Sequence, residues 1–345
     1  KRRTATNYGS SSAMASTKDK VWSGSVPVKF SLASREVTAM QAPRPIYKLL
    51  PRMSYLPLVT TSVRDHFVNY APAIRGDLWF DFDGKPLKWH YPIGVLFDLV
   101  HNCGDKNSSA TKLPLEITVH FTGYPSELLP CRTLTTVNEH FFHSLKEGCY
   151  LKYGTSSIIM NMQKSLHLKM EQSLVTGDYR LYEEASRGWA VSESKCQKIP
   201  IRIMIGDGFD ANTIKNRLIQ PSLEMKDLEG KPFTLRSALK NIFPSLDLTF
   251  VRAVIQGIKV PTETSLFYLA ENMCHADQFL YICLSLHKTP QNPSEDAHSK
   301  IEQRGSQHTA TEEEIDVVGR EGSNQKIKAK TSTEDGADSK LESST

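Results

Sequence analysis

Apolar residues alternate with others through Val26-Pro-Val-Lys-Phe30-Ser-Leu32, and Ile199-Pro-Ile-Arg-Ile203-Met-Ile205 repeats the order, with Pro second and a basic residue fourth. Period-two alternation marks a strand with one buried face, so each run predicts a strand. A second echo lies 170 positions apart: Leu96-Phe97-Asp-Leu99 with Asn102 matches Leu266-Phe267-Tyr-Leu269 with Asn272. An apolar strand follows each, Leu115 to Phe121 in the first half and Phe279 to Leu286 in the second. Between these landmarks the first half predicts a helix over Ser54 to Tyr70, with Leu58, Val59, Val63 and Phe67 on one buried face. A hairpin follows, in which Leu78 to Phe82 turns at Asp83-Gly84 into Leu87 to Tyr91. The second half predicts strand 199 to 205, a turn at Glu229-Gly230 and a helix over Leu235 to Ile242. Strand 250 to 258, a short helix and the last strand complete it.

Two such modules, each mixing one main helix with about four strands, predict a compact α+β fold used twice. Thr133 to Trp189 differs, because its apolar residues recur at helical spacing: Val137, Phe141, Leu145 and Cys149, then Ile158, Met162, Leu166 and Met170. That pattern predicts a helical bridge with a face to bury against both modules. The expected division is a first module over 21–125, a helix-rich region over 133–190 and a second module over 196–287.

Both ends lack this patterning. Lys1 to Lys20 is rich in Ser, Thr and Ala, and the stretch from Lys288 onward contains no Phe, Trp or Tyr; both are expected to be disordered. The basic, Ser-rich start also suits a transit peptide but shows no amphipathic stripe, and Met14 is a candidate native start. The 345 residues carry a net charge of +4, with five basic residues against one acid in 1–20 and eight against twelve in 288–345. No dense basic run exists to hold a nucleic acid. The six cysteines are scattered without a CxxC pair, which argues for reduced thiols inside the cell and against a zinc site. The longest apolar stretch, Phe279 to Leu286, is far short of the roughly twenty residues of a spanning helix, so a membrane role is expected to be peripheral.

Motifs that carry chemistry are few. Gly206-Asp-Gly208-Phe-Asp-Ala211 follows a strand as a dinucleotide fingerprint would, but no crossover helix opens inside it, and a turn between strands accounts for the same residues. His140 and His143, near Glu139 and Cys149, lack further ligands, so neither a metal nor any other cofactor is expected. Signatures of nucleophilic or phosphate-binding enzymes are absent, and no case for a self-contained catalyst arises. Trp79, Trp89, Tyr91 and Phe97 cluster on and after the hairpin, as module core or, in part, as a partner groove.

Several of these stretches resemble the autophagy protein 5 family. They are Leu49-Leu-Pro-Arg-Met-Ser-Tyr-Leu56, the run from Leu78-Trp-Phe to Leu96-Phe-Asp-Leu99, Leu115 to Phe121, His140-Phe to Ser144-Leu-Lys-Glu147 and Met160-Asn-Met-Gln163. The resemblance implies two ubiquitin-like (β-grasp) domains flanking a helix-rich domain. It also implies a non-catalytic autophagy factor needed for autophagosome formation, joined through one lysine to the ubiquitin-like autophagy protein 12. In the family the conjugate binds the amino-terminal helix of autophagy protein 16 and acts like an E3 factor in transferring autophagy protein 8 to phosphatidylethanolamine. The carrier (E2-like) enzyme and the autophagy protein 8 machinery would therefore be partners, met on the growing phagophore membrane by an otherwise cytoplasmic protein. The acceptor motif falls on Lys146, with Lys152 and Lys164 as fallback acceptors and Trp89, Tyr91 and Gly94 as the expected partner-binding residues. If Phe141, Leu145 and Cys149 form a buried stripe, Lys146 lies about 100° round the helix and reaches solvent. Gly148 and Gly154 are expected to loosen or end that helix. A ubiquitin-like scaffold that binds helices without being conjugated is the alternative.

Overall fold

A computed structural model describes residues 16–73, 76–103, 113–189, 198–205, 218–219, 233–245, 247–248 and 251–286. The stretches expected to be disordered, apart from 16–20, and the Gly206 to Ala211 and Glu229-Gly230 turns lie outside them.

After a short helix α1 (Thr17–Trp22) come β1 (Ser25–Leu32), β2 (Ile46–Pro51), α2 (Leu56–Val59), α3 (Thr61–Phe67), β3 (Trp79–Phe82), β4 (Lys85–Pro86), α4 (Ile93–Cys103) and β5 (Leu115–His120). The helical region holds α5 (Leu134–Tyr153), α6 (Ser157–Met160), α7 (Lys164–Thr176) and α8 (Tyr179–Ser186). Then follow β6 (Ile201–Ile205), β7 (Leu218–Ile219), α9 (Leu235–Ile242), β8 (Val251–Ile255), β9 (Ile258–Val260), α10 (Leu266–Asn272) and β10 (Leu280–Leu286). The sheets run β2-β1-β5-β3-β4 and β7-β6-β10-β8-β9, so the same topology occurs twice. In each, the first and last strands of the module pair in parallel, Phe30 opposite Ile117 and Ile203 opposite Ile282, while the other pairs are antiparallel. Both sequence echoes thus mark equivalent elements, β1 with β6 and α4 with α10.

Four details differ from the sequence expectation. The helix expected over 54–70 is two helices, because the Thr60 hydroxyl donates to the Leu56 carbonyl at 2.8 Å and Lys48 Nζ donates to that of Val59 at 3.3 Å. The Asp83-Gly84 turn forms with both residues at positive φ, but its second arm is only Lys85–Pro86, and Leu87 to Tyr91 turns inward. Strand 250–258 is a hairpin, turned by Gln256 (φ 52°) and Gly257 (φ 76°). Strand β2 was not anticipated: Tyr47 and Leu49 point outward, which hides the alternation.

The second sheet is covered on both faces at its central strand, β10. Ile203, Ala253, Ile255, Leu280, Ile282 and Leu284 pack with α9 and α10, whereas Met204, Val254, Phe279, Tyr281 and Cys283 belong to the first module's core beside Val95, Leu96 and Leu99 of α4. Helix α4 therefore lies between the two sheets. A buried ion pair fastens it there: Arg52 Nη2 meets Asp98 Oδ2 at 2.6 Å and donates to the Gly94 carbonyl at 3.0 Å, and the Gly257 amide donates to the same Asp98 oxygen at 2.8 Å. Burial raises the Asp98 pKa despite the opposing pull of Arg52, so this carboxylate depends on its cation. Replacing Arg52 by Met leaves that carboxylate buried without its cation and is expected to cost about 3–5 kcal/mol. Urea denaturation measures it; a loss below about 1 kcal/mol contradicts this role for the pair.

Candidate functional site

Helix α5 starts where Thr133 Oγ1 accepts from the Thr136 amide, and it ends at Gly154, which takes the left-handed conformation (φ 75°). Phe141, Leu145 and Cys149 form its fully buried stripe, as expected, in a core shared with Ile159, Met170 and Leu174. Burial pushes the Cys149 thiol up to about 12, so it is neither a nucleophile nor a ready metal ligand. Lys146 emerges beside this stripe, half-buried, and makes no hydrogen bond or ion pair with the described residues.

The turns on either side of Lys146 are tied to the second module. The Ser144 hydroxyl donates to Asp277 Oδ2 at 2.8 Å, an oxygen that also accepts from the Tyr281 hydroxyl at 2.8 Å. Glu147 accepts from Arg202 Nη2 at 3.0 Å, while Arg202 Nη1 donates to the Tyr281 hydroxyl at 2.8 Å and the guanidinium stacks 3.7 Å above the Phe279 ring. Burial opposes the charge of Arg202, but Tyr281, Asp277 and Glu147 outweigh it, so its pKa rises. Gly148 does not end the helix: a Cβ there would sit 2.3 Å from the Asp277 carbonyl oxygen, so only glycine admits this approach. The helix accepts a penalty of roughly 1 kcal/mol for an interior glycine in exchange.

The fallback lysines separate cleanly. Lys152 is 8 % exposed and donates to Gln278 Oε1 at 3.0 Å, whereas Lys164 is exposed at the start of α7. Of the expected partner-binding residues, Trp89 borders a groove of about 310 Å³ beside Trp79, Leu128 and Leu134, whereas Tyr91 and Gly94 do not line it. Trp89 is 5 % and Tyr91 6 % exposed; the Trp89 indole donates to the Leu129 carbonyl at 2.6 Å, and Tyr91 joins the first module's core. Gly94 is pressed against Arg52, with 2.9 Å from an added Cβ to Arg52 Cβ. Large aromatic rings next to a sheet go where apolar area is removed from water, and these do so. The nearby His140 ring faces the His90 carbonyl at 3.2 Å, and no cluster of three metal-binding side chains occurs among the described residues.

A groove of about 380 Å³ opens where all three parts meet. Val21 and Trp22 of the first part, Tyr179 and Tyr182 of α8, and Phe267 and Cys274 of the second module line it, with Lys18, Glu183, Arg187 and Glu271 among its charged residues. Sequence reasoning did not find it, because its lining comes from segments some 250 residues apart.

Family models match in the order of the fold: "Autophagy protein ATG5, UblA domain" over residues 21–121, the alpha-helical bundle region over 134–187 and the UblB domain over 198–284. The Drosophila melanogaster autophagy protein 5 is 31% identical over 277 residues, which span 76% of this chain and 94% of that protein. The chain belongs to the autophagy protein 5 family. The Arabidopsis thaliana member is 28% identical over 79% of this chain and 97% of its own length. The crystal structure of Kluyveromyces marxianus Atg5 shares the fold, with a TM-score of 0.63 at 21% identity, covering 77% of this chain and 98% of that one. Membership gives this protein a role in autophagy and two ubiquitin-like domains around a helical bundle. No helix among the described residues is long and apolar enough to cross a membrane.

Within this member of the family, Arg202 and Asp277 are the residues sequence reasoning missed. One signal was present: Arg202 is the basic residue of the second echo, and its counterpart Lys29 pairs instead with Glu116 at 2.9 Å on the first sheet. Exposure predicts the order of amine reactivity. Brief treatment with an acylating reagent, read by peptide mass spectrometry, is expected to modify Lys164 and Lys146 well before Lys152. Equal modification of Lys152 contradicts the packing described for it.

Proposed function

We propose that this member of the autophagy protein 5 family is a conjugation acceptor and scaffold, joined through Lys146 to autophagy protein 12. The supporting observation is that Lys146 is a partly exposed lysine without a partner among the described residues, on a helix held from two sides. An isopeptide bond forms when the neutral Nζ attacks the carbonyl carbon of a thioester on the carrier enzyme. The carbon–sulfur bond breaks, the thiolate leaves, and the amine gives up the two protons that separate an ammonium from an amide, one of them to that sulfur. A lysine in water has a pKa near about 10.4, so a base of the carrier enzyme must remove the first proton as the complex closes. The acceptor itself needs only an accessible, correctly aimed amine, which is what Lys146 offers and Lys152 does not.

The groove lined by Trp22, Tyr179, Tyr182 and Phe267 is the proposed seat for the amino-terminal helix of autophagy protein 16. An apolar floor with charges of both signs around it suits an amphipathic helix, which lays its apolar face into such a groove. Tyr91 and Gly94, two of the residues expected from the sequence, are occupied by internal packing, and Trp89 borders a separate groove beside Trp79. The assembled conjugate then promotes attachment of autophagy protein 8 to phosphatidylethanolamine. The chain contributes binding and placement rather than catalytic residues, and reaches the phagophore through its partners.

Co-expression with the modifier and its activating and carrier enzymes tests the acceptor. After digestion, a branched glycine–lysine peptide is expected at Lys146 and lost in Lys146→Arg. With an active cascade, absence of any branch rejects the acceptor and leaves the unconjugated helix-binding scaffold.

A further inference from the structure

We infer that the second ubiquitin-like domain serves as a jig for the acceptor lysine, with Arg202 and Asp277 as positioning residues; this rests on the proposal that Lys146 is conjugated. The argument begins with the helix. About half the circumference of α5 is buried between Phe142 on one side and Leu151 on the other, and Lys146 leaves just beyond the Phe142 edge. Val137, Phe141, Phe142, Leu145 and Cys149 are buried in the bundle core. The remaining buried positions, Ser144, Gly148 and Lys152, each meet the segment 277–278 of the second domain, through Asp277 Oδ2, the Asp277 carbonyl and Gln278 Oε1 respectively.

That segment is itself rigidly built. Gln278 has a positive φ of 69°, its side-chain amide donates to the Tyr182 hydroxyl at 2.6 Å, and Asp277 Oδ1 accepts from the Phe279 amide at 3.2 Å. Arg202 then reaches past Phe279 to Glu147, the residue next to the acceptor, from a strand bonded in parallel to β10. Contacts therefore fix the helix from 144 to 152 against a sheet, while the Lys146 side chain stays unattached. A flexible side chain on an immobile helix samples a small volume, and small misplacements of a reacting group cost large factors in rate. The contacts should therefore raise the rate of transfer from the bound carrier without contributing to its binding.

The test uses the full chain and a carrier enzyme preloaded with the modifier, in single-turnover transfer over a range of carrier concentrations. Arg202→Met keeps an unbranched apolar stem and removes the guanidinium with its stacking on Phe279 and its bond to Glu147, while Glu147→Ala changes an exposed residue. Each is expected to lower the maximal transfer rate about five-fold at an unchanged half-saturating carrier concentration, and the double variant to be no slower than the slower single. Transfer at the wild-type rate in the Glu147 variant, slowdowns that multiply in the double variant, or a change confined to half-saturation would overturn the inference. If the wild-type chain carries no branch at Lys146, the acceptor proposal fails and takes this one with it. If Arg202→Met fails to fold, the Glu147→Ala rate decides alone.

Discussion

The central strand of the second sheet, β10, is buried on both faces, and the rest of the molecule is arranged around that fact. This strand presents Leu280, Ile282 and Leu284 to the helices of its own domain and Tyr281 and Cys283 to the first domain's core. A ubiquitin-like sheet ordinarily leaves one side to water and alternates accordingly, as β5 does with Glu116 exposed. Here the outer side would expose a contiguous apolar surface, so α4 must cover it. Helix α4 is thus shared, and the Arg52–Asp98 pair of the first domain, which accepts the Gly257 amide of the second, fixes that seam.

Much of this was legible in the chain, for identifiable reasons. Twofold repetition showed through the Pro and basic positions of β1 and β6, because equivalent strands demand equivalent alternation. The eight-residue run from Phe279 to Leu286 is what a strand buried on both faces requires, although the sequence does not say what covers it. Strand β2 escaped because Tyr47 and Leu49 put apolar side chains on the exposed side. The β8–β9 hairpin escaped because Gln256 occupies a positive-φ position that usually selects Asn, Asp or Gly.

The site was legible only as far as local pattern reaches. The stripe Phe141, Leu145 and Cys149 placed Lys146 at its border, and the structure puts it there. Gly148 was visible as an interruption, but its reason, the carbonyl of Asp277, lies over a hundred residues away in the chain. Arg202 and Glu147 lie 55 positions apart, and a contact at that separation leaves no periodic trace. Aromatic clustering pointed mainly to core, and Trp89 and Tyr91 are buried in two of the cores, while the groove at Trp22 draws its lining from all three parts and left no local pattern.

If the second sheet holds the three parts together, they should lose structure together. Differential scanning calorimetry of the whole chain is then expected to show one transition whose calorimetric and van't Hoff enthalpies agree. Two resolved transitions, one belonging to the second ubiquitin-like domain alone, would contradict the claim that its sheet is an integral part of the first domain's core.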